Sequence, residues 1–346
     1  MKRLYLNKKN LRYFYKVILI KKSTCFILAF LICLGFTGCN KANDNNNDTI
    51  VENTSTIPPS PTIIGSQETS IENNTPSAEV KVTQEKAQIK VVDYSDSFDG
   101  IEGCAVFFNS DTNVYNMYNE ELCETRTSPC STFKIMATLM GLDNGVLSSV
   151  DSKMGYDKTI YAMDSWNDDL SLKDAFKESC VWYFRKVIDK VGQSNVQSYL
   201  DKLEYGNNDI SQWDGSGINS LPELNGFWLE SSLEISPKEQ VDILASIFDG
   251  KTDFTMHNIS ILKEVMLTQK IANNSVYGKT GTGQNIKTKH RDNGWFVGMF
   301  ENSDVRYYFA VRLNDEKKEV SGAMAKEIAI DIISKYYDER NETDIY

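Results

Sequence analysis

Ser128-Pro129-Cys130-Ser131-Thr132-Phe133-Lys134-Ile135 is the segment from which the rest of this sequence is best interpreted. A helix is predicted to begin just after Pro129. Positions i and i+3 of a helix share one face, with Cβ atoms about 5–6 Å apart, so the Ser131 hydroxyl and the Lys134 amine should converge. The segment therefore pairs a nucleophile with a potential base.

An isolated S-x-x-K spacing is a weak signal, because a solvated helix face explains most such matches. Two further elements strengthen it: Ser179-Cys180-Val181, and then Lys279-Thr280-Gly281-Thr282. Their order in the chain is Ser-x-x-Lys, Ser-x-x, Lys-Thr-Gly, which is typical of serine penicillin-recognising enzymes. Three ordered elements make a chance coincidence small.

Within that group the sequence resembles the class D β-lactamases over essentially all of residues 100–340. The family pattern Pro-x-Ser-Thr-Phe-Lys matches residues 129–134, Ser-x-Val matches 179–181 and Tyr-Gly-Asn matches 205–207. Further along the chain, Phe-Trp-Leu-Glu matches residues 227–230, Lys-Thr-Gly matches 279–281 and Trp-Phe-Val-Gly matches 295–298. The resemblance implies a serine β-lactamase that hydrolyses β-lactam antibiotics through an acyl-enzyme on Ser131 and so gives antibiotic resistance. It also implies a β-lactamase/transpeptidase-like fold.

The third position of the Ser-x-Val element distinguishes this family. Class A lactamases and most transpeptidases carry Asn there, whereas Val181 offers only apolar surface. Burial disfavours a charged ammonium and lowers a lysine pKa, which leaves a neutral amine able to add carbon dioxide. The resemblance implies that Lys134 forms this carbamate, N6-carboxylysine, as the general base, with no other cofactor than carbon dioxide or bicarbonate.

The resemblance implies further site roles. Trp228 would donate its indole N–H to the carbamate, although ordinary core packing is the alternative for this tryptophan. Ser179 and Lys279 would relay a proton to the leaving nitrogen. The oxyanion hole would use backbone N–H groups of Ser131 and Thr282. Substrate contacts are expected from Val181, Thr280, Gly281 and Lys326. Lys326 stands at a position where the family commonly has an arginine. The alternative for Lys326 is a plain exposed lysine on a helix.

The coarse secondary-structure pattern predicts an α/β (α+β) fold. Strands are expected at 89–92, 103–109 and 114–118, the last two as a hairpin, and again after Tyr277 at 294–300 and 306–313. Helical periodicity dominates from Ser131 to about Met266, and a closing amphipathic helix is expected at 322–336. Strands at both ends imply a mixed, mainly antiparallel central sheet built from both termini, flanked by helices, with an inserted helical lobe and the active site between the lobes.

The N-terminal part reads as a lipoprotein signal peptide over residues 1–38. Eight Lys and Arg residues and no acid precede or flank an apolar run that ends in Phe36-Thr37-Gly38-Cys39. Cys39 would be lipidated, which would anchor the protein to the cell membrane outside the cytoplasm; an uncleaved membrane helix is the alternative. Residues 39–88, rich in Asn, Asp, Thr, Ser and Pro, predict a flexible tether, and residues 89–346 the catalytic domain.

The net charge of the chain and its few potential metal ligands argue against nucleic acid and metal ions as partners. Without the leader, 29 basic and 48 acidic residues remain, a net charge of −19 that argues against nucleic acid. No metal is expected, because only His257 and His290 occur and no paired ligand spacing is present. The expected partner is a small-molecule β-lactam.

Four cysteines remain after the leader and the lipid site: Cys104, Cys123, Cys130 and Cys180. Free buried thiols are the preferred expectation. A bridge between Cys130 and Cys180, or between Cys104 and Cys123, stays open in an oxidisable compartment.

Two other functions remain as rivals. A β-lactam-sensing receptor domain would share the Ser-Thr-Phe-Lys element and stay acylated, but such receptors carry several membrane helices and an H-E-x-x-H metalloprotease motif that this sequence lacks. A cell-wall transpeptidase would be expected to carry Ser-x-Asn. The deacylation rate separates all three functions.

Overall fold

The computed structural model describes residues 86–271 and 273–337. The predicted signal peptide (1–38), the lipidation site Cys39 and nearly all of the predicted tether (39–88) lie outside the described residues and stay predictions. Within the described ranges, no helix is both long enough and apolar enough to span a bilayer.

A seven-stranded sheet forms the centre of the fold, in the order β1-β3-β2-β7-β6-β5-β4. β1 runs parallel to β3, and all the other neighbours are antiparallel. Because β7 lies between β2 and β6, the sheet is built from both ends of the domain, which confirms the predicted fold class. The strands are β1 Gln88–Val91, β2 Gly103–Asn109, β3 Val114–Tyr118, β4 Leu267–Ile271, β5 Asn274–Gly283, β6 Asn293–Glu301 and β7 Arg306–Asn314.

Nine α-helices occur among the described residues, and seven of them, α2 to α8, lie between β3 and β4 in the chain. They form the predicted helical insertion. The helices are α1 Ser95–Phe98, α2 Glu120–Glu124, α3 Lys134–Asp143, α4 Leu172–Lys177, α5 Val181–Val191, α6 Gln193–Leu203, α7 Pro237–Phe248, α8 Met256–Met266 and α9 Gly322–Tyr336. Short 3₁₀ turns lie at Cys130–Phe133, Asp164–Trp166 and Pro222–Leu224.

The sheet is a middle layer with apolar packing on both faces. Strand β2 is buried along its whole length, and its side chains alternate between two hydrophobic clusters, as the strand period of two requires. Val106 and Phe108 pack with the helical lobe, whereas Ala105 and Phe107 pack with Ile328 of α9 and its neighbours. This sandwich explains why β2 reads as a continuous apolar run.

Two local predictions differ from the structure. The segment after Pro129 begins as a 3₁₀ turn, and the α-helix starts only at Lys134. Strands also return earlier than Tyr277, because β4 and the first part of β5 form a hairpin. The sequence Leu-Thr-Gln-Lys-Ile of β4 is a half-exposed edge strand, and its polar residues give little strand signal.

Candidate active site

The Ser131 hydroxyl and the Lys134 amine converge as the spacing predicts. Lys134 Nζ donates to Ser131 Oγ over 2.8 Å. The lysine is fully buried, and its Nζ lies 5.6 Å from the centroid of the Phe184 ring. Burial lowers the pKa of Lys134 from 10.5 to about 8. The amine can therefore exist in its neutral, basic form near physiological pH.

Ser179 and Lys279 form a second serine–lysine pair. Lys279 Nζ donates to Ser179 Oγ and, over 3.1 Å, to the backbone oxygen of Thr280. Burial, and then the nearby charge of Lys134, hold the pKa of Lys279 well below its ordinary value. Ser179 has φ 55°, a left-handed conformation that is costly for a residue other than glycine and is concentrated at functional sites.

The second half of β5 presents an open edge to the site. β4 pairs with β5 only over residues 274–277, so among the described residues no strand covers the outer edge of residues 278–283. A Cβ on Gly281 would lie 3.1 Å from the backbone oxygen of Pro129. Strand β5 therefore closely approaches the 3₁₀ turn Cys130–Phe133, called the nucleophile turn below because it carries the predicted nucleophile Ser131. Thr282 Oγ1 accepts a hydrogen bond of 2.9 Å from the Gly322 N–H and so connects β5 to α9.

One cleft of about 420 Å³ collects most of the predicted residues. Its apolar wall includes Tyr161, Met163 and Trp166, which the motif search did not single out. A smaller cleft of about 280 Å³ lies between α6 and residues 251–254, and none of the predicted site residues lines it. The predicted residues that line the larger cleft are Ser131, Ser179, Val181, Thr280, Gly281 and Thr282.

Trp228 is buried beside Phe133 and has an unpaired donor. The side chain is 1% exposed and stacks on Phe133 with ring centroids 5.5 Å apart. A Cβ on Gly226 would come within 2.5 Å of the indole, so the chain must be glycine there for the ring to fit. Trp228 Nε1 has no hydrogen-bond partner among the described residues. A buried donor left in this way costs about 1–3 kcal/mol.

The Tyr-Gly-Asn motif supports the loop that carries Trp228. Gly206 has φ 58°, and a Cβ there would lie 2.0 Å from the backbone oxygen of Glu234. Asn207 Oδ1 accepts from the Glu234 N–H over 3.0 Å, and Asn207 Nδ2 donates to the Ser232 oxygen over 2.8 Å. The motif therefore fixes the backbone just after Trp228.

Lys326 is not among the residues that line the cleft. Its Nζ lies 5.9 Å from the centroid of the Phe296 ring, and partial burial lowers the pKa of this lysine. Its expected contact with substrate stays a prediction. No group of three metal-ligating side chains occurs in the part of the chain that the structure describes.

A polar cluster that the motifs did not reveal surrounds the nucleophile turn. Ser128 Oγ donates to the Trp228 backbone oxygen over 3.0 Å and accepts from the Glu230 N–H over 2.9 Å. Cys130 Sγ donates to Glu230 Oε1 over 3.1 Å. Glu230 lies in the matched Phe-Trp-Leu-Glu pattern, but nothing in the spacing shows that it meets Ser128. Cys130 and the other three cysteines of the domain are buried and free, as the preferred expectation had it.

Comparisons with known proteins agree with this geometry. The family described as penicillin binding protein transpeptidase domain matches residues 84–334. The regulatory protein BlaR1 of Bacillus licheniformis is 34% identical over 269 residues, which cover 75% of this chain and 42% of that protein. β-Lactamase OXA-1 of Escherichia coli is 34% identical over 244 residues, which cover 68% of this chain and 86% of that protein.

Solved structures show the same similarity. The crystal structure of a class D β-lactamase from Bacillus subtilis matches with a TM-score of 0.62 and 30% identity, covering 71% of this chain and 96% of that one. By contrast, the chain spans only about two fifths of the length of the regulatory relatives, 42% for BlaR1. The similarity to those relatives therefore concerns one portion of each.

Proposed function

The chain belongs to the family of penicillin-binding-protein transpeptidase domains, with homology to both class D β-lactamases and BlaR1-type sensors. We propose that it is a class D serine β-lactamase. The observation that carries the proposal is the Lys134 environment. The base is buried and hydrogen-bonded to the nucleophile Ser131, while the indole N–H of Trp228 is buried without an acceptor.

The residues present fit a carbamate on Lys134. A neutral amine is needed to add carbon dioxide, and the lowered pKa of Lys134 supplies it. The indole N–H of Trp228 has no acceptor among the described residues. An oxygen of a carbamate on Lys134 would be a charged acceptor for it. When present, this group supplies a carboxylate-type base beside Ser131.

Acylation then uses both serine–lysine pairs. Ser131 Oγ gives its proton to the base at Lys134 and forms a bond to the β-lactam carbonyl carbon, and the ring C–N bond breaks. Ser179, hydrogen-bonded to Lys279, relays the proton taken up by the base to the departing nitrogen, so the base is free again for deacylation. General-base help of this kind contributes about 10²–10⁴ in rate.

The open edge of β5 positions the substrate. Backbone N–H groups of Ser131 and Thr282 would stabilise the oxyanion, each worth on the order of 10²–10³ in rate. The Thr280 hydroxyl, which lines the cleft, would bind the substrate carboxylate. Lys279, when protonated, would add positive potential nearby. Val181 at the start of α5 keeps the wall beside Lys134 apolar.

Deacylation completes the cycle. The base at Lys134 removes a proton from water, the water oxygen attacks the ester, and the bond to Ser131 Oγ breaks as the proton returns to that oxygen. No metal or further cofactor takes part in this proposal.

A penicillin sensor is the second candidate, favoured by the similarity to BlaR1. A sensor performs the same acylation and then stops. The apolar residue Val181 supports hydrolysis, because a polar side chain at this position would compete for the lysine and raise its pKa.

The location follows from the N-terminal sequence alone. We propose that Cys39 carries lipid and that residues 39–88 tether the domain to the outer face of the cell membrane. There the enzyme would intercept β-lactams before they reach the cell wall enzymes and so confer antibiotic resistance.

Turnover by the purified protein tests the function directly. A chromogenic cephalosporin should be hydrolysed over many cycles, and intact-mass measurements should show a penicilloyl adduct that forms and then disappears. An adduct that persists for hours with no turnover would identify a sensor. Absence of any adduct would reject both functions.

A further inference from the structure

Ser128 is held rigidly by the sheet. Its side chain is 4% exposed, and its backbone oxygen accepts from Asn293 Nδ2 over 3.2 Å and from Trp295 Nε1 over 3.1 Å. Both donors lie on β6. Ser128 is therefore fixed to the central sheet just before the nucleophile turn.

The Ser128 hydroxyl joins that fixed point to the loop that carries Trp228. It donates to the Trp228 oxygen and accepts from the Glu230 N–H, so it uses its proton and one lone pair on two backbone groups of the same loop. A second contact runs in parallel, from Cys130 Sγ to Glu230 Oε1. Side chains of Ser128 and Cys130 thus connect the nucleophile turn to loop residues that lie 100 and 102 positions away in the sequence.

The same contacts determine where the Trp228 indole lies. The ring rests on Phe133 of the nucleophile turn and against Gly226, but no partner among the described residues holds its N–H. Stacking restrains the ring plane, and no hydrogen bond to a described residue fixes the N–H within that plane. The backbone position at Trp228, which Ser128 fixes, then sets the placement of the N–H.

We propose that Ser128 is a positioning residue for the hydrolytic base: its hydroxyl holds the Trp228 indole N–H where it stabilises a carbamate on Lys134. The inference rests on the proposed function, since a carbamate matters only if Lys134 is the base. Ser128 itself does not line the cleft. A shift of about 1 Å in such a supporting contact is enough to weaken a site.

The test compares Ser128→Ala with Thr255→Ala. Thr255 is the N-cap of α8, where its Oγ1 accepts from the Asn258 N–H over 3.2 Å, and it does not line the cleft. Each variant loses one buried or capping hydroxyl, so a general loss of stability should appear in both. The direct readout is the carbamate signal in ¹³C NMR of protein equilibrated with ¹³C-bicarbonate.

Ser128→Ala should need about tenfold more bicarbonate for half-maximal carbamate signal, the factor expected when one hydrogen bond of about 1.4 kcal/mol is lost. The rate of Ser131 acylation by a labelled penicillin at saturating bicarbonate should stay near that of wild type. Ser128→Cys, which keeps a weaker donor in a similar volume, should give an intermediate bicarbonate requirement and replaces Ser128→Ala if that variant does not fold.

A double-mutant cycle adds a sharper criterion. If Ser128 acts through the indole, Ser128→Ala in a Trp228→Phe background should change the bicarbonate requirement by less than twofold. A full additional tenfold change would overturn the positioning role. The role would also be overturned if Ser128→Ala had the same bicarbonate requirement as Thr255→Ala. If wild type forms the carbamate but hydrolyses no β-lactam, the proposed hydrolytic function is wrong. The carbamate signal then still tests the role of Ser128. A wild type with no carbamate signal rejects the inference.

Discussion

Carbon dioxide removal is the perturbation that probes the Lys134 site most directly. With its pKa lowered to about 8, Lys134 should be about 50% neutral at pH 8 and about 1% neutral at pH 6, a roughly 50-fold difference in the species that can add carbon dioxide. The sign follows from burial, because a depressed lysine pKa means that protonation sets in only as the pH falls through 8. Below that pH the carbamate takes up protons and breaks down to the ammonium and carbon dioxide.

The expected result is a loss of activity that depends on both pH and bicarbonate. In buffer freed of carbon dioxide, turnover of a chromogenic cephalosporin should fall steeply from pH 8 to pH 6, and added bicarbonate should restore it. The assay measures initial rates at both pH values across a bicarbonate series. A free-amine base would lose activity at low pH as well, but bicarbonate would not restore it.

Replacing Trp228 by Phe should deepen this dependence. The change removes the indole donor and keeps most of the stack on Phe133, and a hydrogen bond to a charged group contributes about 1.5–3 kcal/mol. The bicarbonate requirement should rise by about 10–100-fold, and deacylation should slow more than acylation. Trp213→Phe is the matched control, because Trp213 stacks on Phe227 and does not line the cleft.

One result would refute this reasoning. Full activity of wild type at pH 8 after rigorous removal of carbon dioxide, followed by a loss towards pH 6 that bicarbonate does not restore, would show that an unmodified amine is the base. The proposed mechanism would then be wrong even if the protein hydrolyses β-lactams.

Other predictions probe the remaining parts of the molecule. Ser131→Ala should abolish covalent labelling by penicillin, and a penicilloyl adduct on that variant in intact-mass spectra would contradict the nucleophile assignment. Val181→Asn should raise the bicarbonate needed for half-maximal turnover, since it adds polarity beside the buried amine; an unchanged requirement would count against the role of the apolar wall. Cys39→Ser should move the protein from the membrane fraction to the soluble fraction, whereas persistent membrane recovery would indicate an uncleaved helix. Gly206→Ala should destabilise the fold by about 1–3 kcal/mol, because its Cβ would lie 2.0 Å from a backbone oxygen at φ 58°; thermal unfolding measures the shift, and an unchanged midpoint would exclude the clash.

Much of the fold was accessible from local pattern. The ranges predicted for β2, β3 and the closing helix agree with the structure, because side-chain alternation and helical periodicity are properties of neighbouring residues. The edge strand β4 was missed for the complementary reason. This segment is a strand because it pairs with β5. Its polar residues show no alternating pattern from which a strand could be predicted.

The sequence by itself determined the candidate chemistry: Ser131 and Lys134 meet because positions three apart share a helical face, and the ordered motifs predicted the second pair, Ser179 and Lys279. Only the tertiary structure decided how that chemistry is tuned. The burial that lowers the pKa of Lys134, the unpaired indole of Trp228, its tie to Ser128 and the place of Lys326 over Phe296 all depend on segments distant in the chain. Desolvation and hydrogen-bond satisfaction are set by whatever packs around a group, and that environment is created only when the sheet and the helical lobe close on each other.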